Sequence, residues 1–280
     1  MTGNEALRAA VAVLKSAGLD DPSRDSRLLL AHSLDILPDR LTLHLQDMLT
    51  KEQQQQFDGA IAARLTRQPV SQIIGKRLFW GQWFKVTQDT LDPRPETETL
   101  VQAALERPFV KILDLGTGTG CILISCLRGM PMAMGVGVDV SEPALAVART
   151  NAQVLGVATR AKFVASDWFS TIQDRFDLIV ANPPYITSDE MALLSPDVLN
   201  WEPHLALTPG GDGLDSYRII TAGAGARLLA GGRIALEIGP TQGVSVATLL
   251  RQAGFVDVTI VKDMDNRDRV VIGHKAIATD

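Results

Sequence analysis

The stretch Asp177 to Ile186, DLIVANPPYI, holds the residues best suited to chemistry. A run of Leu, Ile, Val and Ala stops abruptly at Asn182-Pro183-Pro184-Tyr185. Two successive prolines remove two backbone donors and keep the chain extended, so no strand continues through them. A side-chain amide, a neighbouring carbonyl and an aromatic ring are thereby held together at a strand end. A planar amide-type nitrogen is a weak nucleophile because its lone pair is delocalised. Asn182 Oδ1 and the Pro183 carbonyl could each accept one of its N–H hydrogens, fixing its orientation and favouring positive charge on it as it attacks. Tyr185 could stack on a flat substrate group. No base strong enough to ionise an amide is needed first, since the proton can leave after the new bond has formed. The bland alternative is a rigid loop without chemistry.

A second stretch, ILDLGTGTGC, supplies what such a nitrogen would attack. A buried strand ends at Asp114 and opens into Gly116-Thr117-Gly118-Thr119-Gly120. Glycines permit positive φ and let a ligand approach the backbone with no Cβ in the way. A helix follows directly, and its free N–H groups suit a nucleotide or a carboxylate. The next strand, GVGVDV, ends on Asp139, nineteen residues beyond Gly120, where an acid suits a ribose diol. A tight structural turn is the alternative for the glycines taken alone. The spacing is G-x-G-x-G rather than the G-x-G-x-x-G of dinucleotide sites, and no dehydrogenase-type catalytic group follows. His32, His44, His204 and His274 are scattered. S-adenosyl-L-methionine is therefore the expected cofactor, with its methyl in line about 3 Å from the nitrogen, so that positioning supplies most of the catalysis. In SDWF, Asp167 could accept the adenine amine and Trp168 could lie against the ring, core packing being the other reading of that tryptophan.

These residues need elements to carry them. Residues 1–75 read as successive helices: an amphipathic first helix with Leu7, Val11 and Leu14 on one face, then DSRLLLAHSL, PDRLTLHLQDML and TKEQQQQFDGAIAARLTRQP. The last opens with Thr50 and Gln53 in capping-box spacing. Residues 76–92 alternate aromatic and β-branched side chains around Gly81, as a hairpin linker would. From 93 to 280 strands and helices alternate, which argues an α/β parallel sheet wrapped by helices. At its end VDVTIVKDM and DRVVIGHK form an expected antiparallel edge pair. The fold class is thus a Rossmann-like class I methyltransferase sheet with a small all-α N-terminal domain. A formal net charge of −5 lowers the expectation of nucleic-acid binding. Cys121 and Cys126 form neither a disulfide framework nor a four-ligand metal site and suit a reducing, cytoplasmic setting. No metal site, secretory signal or membrane span is expected.

With GTGTG, NPPY, LDPRPETETLV, EPHLALTPGGDGLDSYR and DNRDRVVIG in view, nearly the whole chain resembles the bacterial protein-(glutamine-N5) methyltransferases that modify peptide chain release factors. The resemblance implies methyl transfer from S-adenosylmethionine to the glutamine of the release factor's Gly-Gly-Gln tripeptide; a monomer that touches no nucleic acid directly is expected. It implies that Gly116 to Gly120, Asp139, Trp168 and Asn182 contact the cofactor. Asn182 to Tyr185 would hold the glutamine, so Asn182 would meet both ligands. Pro95, Glu96 and Thr97 would lie near the pocket and its entrance, with Glu237 at its edge, and the helical domain would help grip the release factor. Enzymes acting on the amino groups of nucleic-acid bases carry similar tetrapeptides and provide the competing enzymatic reading. A degenerate, non-catalytic module that merely holds a translation factor is the third.

Overall fold

The computed structural model describes residues 1–277. The chain divides into two units, one formed by residues 1–76 together with 195–201, the other by residues 77–194 with the remainder from Glu202 onward.

The small unit is helical because its helices are well started. Thr2 and Glu5 form a reciprocal capping box on the helix Gly3–Ser16, and Thr50 and Gln53 do the same for Lys51–Leu65. Asp21 accepts from the Arg24 N–H at the start of Pro22–Ser33. Leu14, Leu29, Leu30, Leu41 and Phe57 meet in its core. The stretch from Pro38 to Leu49, read from sequence as one helix, is shorter and broken: a 3-10 turn at Pro38–Arg40 and one helical turn at Leu41–His44. The carbonyls of Leu45 and Asp47 instead accept the first N–H groups of the opening helix, from Asn4 and Gly3. Arg64 ties three stretches together. It reaches Asp25 at 2.7 Å, Asp197 at 2.6 Å and the Gln68 carbonyl at 3.1 Å. The Trp201 indole N–H donates to the Thr66 carbonyl, and the Gln72 side chain donates to the Trp201 carbonyl.

A hairpin follows, β1 (Lys76–Phe79) and β2 (Gln82–Lys85), turned by Trp80 and Gly81 at φ 49° and 69°. Positive φ at both positions gives a turn whose twist matches the flanking strands.

The large unit is built on seven strands: β3 (Lys111–Leu115), β4 (Met134–Asp139), β5 (Ala161–Ala165), β6 (Phe176–Ala181), β7 (Leu228–Glu237), β8 (Phe255–Lys262) and β9 (Asp268–Lys275). Their order is β5-β4-β3-β6-β7-β9-β8. The first five run parallel, and β9 lies antiparallel between β7 and β8. Alternate residues serve opposite faces. Ile112, Leu178, Val180 and Ala235 pack with Leu100, Leu123 and Leu127 from the helices Glu98–Leu105 and Cys121–Gly129. Leu113, Leu115, Ile179, Ile234 and Leu236 pack on the other side with Tyr217, Ile220, Val246 and Leu250 from Asp215–Arg227 and Gly243–Gln252. Burial on both faces explains the nearly continuous apolar runs of β3 and β6.

Register sets the positions that matter. Leu115 pairs with Val138 and with Ala181, and Ala181 pairs with Leu236. The next residues outward are Gly116, Asp139, Asn182 and Glu237, side by side at the carboxyl ends of four parallel strands. The sheet order reverses between β3 and β6, and ligands of open α/β sheets bind in the crevice at such a point. Among the described residues, no helix is long and apolar enough to cross a membrane.

Candidate active site

Gly116, Gly118 and Gly120 all hold positive φ, between 52° and 78°. At Gly118 this is a functional need, because its N–H must turn toward Asp139, whose Oδ2 accepts it at 2.9 Å. Asp139 Oδ1 takes the Ser141 N–H at 2.9 Å, so the one carboxylate braces the glycine turn and the start of the following helix. Thr117 and Thr119 are buried. The Thr117 hydroxyl donates to Asp114 Oδ2 at 2.6 Å, beneath the turn. Asn151 grips the turn from outside: its Nδ2 donates to the carbonyls of Thr119 and Lys85, and its Oδ1 accepts the Lys85 N–H.

A cleft of about 240 Å³ opens beside this turn. Gly116, Gly118, Asp139, Asp167, Trp168, Asn182 and Pro184 line it. Trp168 sits there at φ 47°, a conformation that costs a bulky residue strain and is kept where the surroundings impose it. The Ser166 hydroxyl, donating to the Trp168 carbonyl at 3.0 Å, helps to impose it.

Asn182 is half-buried, and its Nδ2 donates to the Thr97 hydroxyl at 3.2 Å. Pro183 is buried, and Tyr185 is half-buried against the core that contains Tyr217 and Leu236, outside the set that lines the cleft. Burial pushes the Tyr185 phenol up to about 12. Two later segments brace the corner. The Leu207 carbonyl accepts the N–H groups of Tyr185 and Ile186, and the Gln242 side chain donates to the Tyr185 carbonyl at 3.0 Å. Gly213, at φ 75°, packs so closely on that carbonyl that a Cβ would overlap it.

Several carboxyls are buried around this region, among them Asp114, Glu202 and Glu237. Desolvation raises Asp114, Glu202 and Glu237 to about 7, opposed by the Thr117 hydroxyl at the first, by the Arg94 guanidinium 2.5 Å from the second, and by Thr97 at the third. The Tyr217 hydroxyl donates to the Glu237 backbone carbonyl and pins the end of β7.

The PrmC N-terminal domain model matches residues 5–75, and the Methyltransferase small domain model matches residues 87–212. A release factor glutamine methyltransferase of Cereibacter sphaeroides is 57% identical, over 97% of this chain and 98% of that relative. The chain belongs to the release factor glutamine methyltransferase family. The relative of the same name from Rhodospirillum rubrum is 44% identical over 95% of this chain and 82% of its own length. A methyltransferase structure from Pyrococcus furiosus, 17% identical, superposes with a TM-score of 0.54 over 69% of this chain and 89% of that one, which shows the sheet architecture.

Within the family frame, the fold brings Gly116, Gly118, Asp139, Asp167, Trp168, Asn182 and Pro184 to one cleft. Thr117, Thr119 and Gly120 lie behind it, supporting the turn rather than lining the space. Pro95 and Glu96 are exposed on the 3-10 turn Pro95–Thr97, next to the buried Thr97. The sequence reading missed Asp89, Thr90 and Leu91, which line one side of the cleft, and Pro203, Leu205 and Ala206, which line another. The EPHLAL motif was the available signal for the second group. Leu91 opens the LDPRPETETLV motif, whereas for Asp89 and Thr90 no motif distinguished them from an ordinary loop.

Proposed function

We propose that this chain transfers a methyl group from S-adenosyl-L-methionine to the side-chain amide nitrogen of the glutamine in the Gly-Gly-Gln tripeptide of peptide chain release factors. The observation that carries the reading is the shared cleft: the Asn182 amide and the glycine turn braced by Asp139 border one space. The curated relatives bear the corresponding name and are matched over most of their length.

The residues present fit the cofactor. A turn with no side chains at Gly116 and Gly118 admits a ligand against the backbone, and each Asp139 oxygen keeps a lone pair free for a ribose hydroxyl. Asp167 and the Trp168 ring suit an adenine. When bound, S-adenosylmethionine supplies an electrophilic methyl group.

What the protein must do is aim a poor nucleophile. With Nδ2 engaged by Thr97, Asn182 Oδ1 is the end of that amide left to accept an N–H from the substrate carboxamide. The Pro183 carbonyl takes the second hydrogen, held stiff because neither neighbouring ring can rotate about φ. Two acceptors in the plane of the carboxamide fix its lone pair perpendicular to them and stabilise positive charge developing on nitrogen. The proton then departs from an N-alkylated cation that is far more acidic than the starting amide, so no strong base is required. Pro184 and Tyr185 shape the approach, and Pro95 and Glu96 flank the entrance. The enzyme works as a cytoplasmic monomer on a protein rather than a nucleic-acid substrate.

Mass spectrometry of purified release factor after incubation with enzyme and cofactor tests this. One added methyl on the Gly-Gly-Gln glutamine is the expected result. Labelling of DNA or RNA in its place would transfer the same chemistry to a flipped base and overturn the assignment.

A further inference from the structure

We infer that Arg94 and Glu202 are positioning residues: their ion pair pins one end of a strap, residues 202–207, along the cleft and thereby sets how tightly the cofactor is held. The inference rests on the function proposed above and concerns two residues to which that function gives no part.

The strap is defined by its two anchors. Pro203, Leu205 and Ala206 line the cleft. Just beyond them, the Leu207 carbonyl accepts the N–H groups of Tyr185 and Ile186, and the Thr208 hydroxyl donates to the Ile186 carbonyl. That end is tied to the Asn-Pro-Pro-Tyr corner. Just before them, Glu202 is tied by its side chain, since Arg94 Nη2 donates to Glu202 Oε2 at 2.5 Å. A guanidinium has only donors, so the bond runs this way whichever charge the carboxyl carries. Between the anchors lies one 3-10 turn, His204–Ala206. Leu205 is 65% exposed, so burial of its side chain does little to seat the strap.

Arg94 starts from a stiff backbone. It stands between Pro93 and Pro95, and a residue before proline is kept extended, as Arg94 is at φ −93° and ψ 142°. Its carbonyl accepts the Thr97 N–H at 3.1 Å and so begins the turn Pro95–Thr97. Glu202 also precedes a proline, Pro203. Three residues before Arg94, Leu91 closes the other loop side of the cleft, formed with Asp89 and Thr90. One ion pair therefore joins the two loops that complete the cleft. The Glu202 side chain is 2% exposed and that of Arg94 34%, so only the arginine can exchange its partner for water.

Glu202→Leu and Arg94→Met each remove the pair and keep most of the side-chain volume. The folded Glu202 carboxyl lies at about 7, so measurements at about pH 8 keep it ionised in the wild type. Apparent Kd is the intrinsic value divided by the competent fraction, so a strap seated about one tenth of the time weakens binding about tenfold. Each variant should raise the S-adenosylmethionine Kd, measured by calorimetry, about tenfold. At saturating cofactor and release factor, kcat should fall by less than about threefold. Arg94→Lys, which keeps the charge, should recover part of the affinity. The double variant should bind no more weakly than the weaker single one, because the two residues act as one pin. In cofactor-free protein, hydrogen exchange at the Ala206 and Leu207 amides should quicken, with the β3 amides unchanged. Should Arg94→Met fail to fold because it strands a buried carboxyl, Glu202→Leu, which leaves a partly exposed guanidinium, carries the comparison. A Kd within about twofold of wild type in Glu202→Leu overturns the inference, as do unchanged exchange in the strap, a kcat loss as large as the affinity loss, or a multiplicative loss in the double variant. If wild-type enzyme binds no S-adenosylmethionine, or leaves the glutamine unmethylated, the proposed function is what falls.

Discussion

At the scale of single residues, Asp139 and Asn182 have separable duties. Asp139 holds the N–H groups of Gly118 and Ser141 at once, so Asp139→Ala loosens the turn and removes the proposed ribose acceptor together. Hydrogen bonds to a charged group are worth about 1.5–3 kcal/mol each, and cofactor Kd, measured by calorimetry, should rise by at least about tenfold. Asn182→Ala should instead lower kcat by about 10²- to 10³-fold while cofactor Kd changes little, since it removes an acceptor aimed at developing charge. Single-turnover rates measured at saturating cofactor separate the two. Both residues were visible in the sequence because each ends an apolar run and has a type that a strand end does not need. Thr117 and Thr119 carried the same apparent signal, yet they are buried beneath the turn; one letter of a motif does not say which way its side chain goes. Asn151 gave no signal at all, because its partners, Lys85 and Thr119, are 66 and 32 residues away.

At the scale of elements, the catalytic corner depends on loops far from it in sequence. Gly213 leaves room for the Tyr185 carbonyl and holds φ at 75°, so Gly213→Ala adds both an overlap and backbone strain. A cost of about 1–3 kcal/mol in stability is expected, read as a lower midpoint in urea, with kcat falling further than the lost folded fraction explains. An unchanged kcat would mean that the corner does not need this support. The central strands were legible from their unbroken apolar runs, and the two tail strands from alternation around a polar turn. The break between Pro38 and Leu49 was not legible, because what ends that helix is a demand for carbonyls made by the N-terminus of another one. The place of β9 between β7 and β8 likewise comes from tertiary pairing, not from local propensity.

At the scale of the molecule, buried charge governs how stability responds to pH. Asp114 is fully buried and its folded pKa, about 7, lies above the ordinary value of 3.8. A raised folded pKa contributes stability that is complete below the unfolded value and is lost as pH climbs through the folded one. Asp114→Asn, which can still accept from Thr117, should therefore gain in melting temperature relative to wild type as pH rises from about 4 to about 7. A constant difference across that range would count against the buried, protonated state. Arg64 acts at the same scale but through pairing. Arg64→Ala would leave Asp25 buried with no counter-charge, and a loss of about 3–5 kcal/mol is expected in chemical denaturation of the full chain. One half of that arrangement, Asp197, arrives from a part of the sequence that otherwise belongs to the larger unit. No single cut therefore liberates the helical piece intact. A recombinant fragment stopping at residue 76 would forfeit the heptapeptide 195–201 with its aspartate and its tryptophan, and the complementary fragment would display both to solvent, unengaged. Anyone dissecting this enzyme by truncation would measure the wound as well as the part.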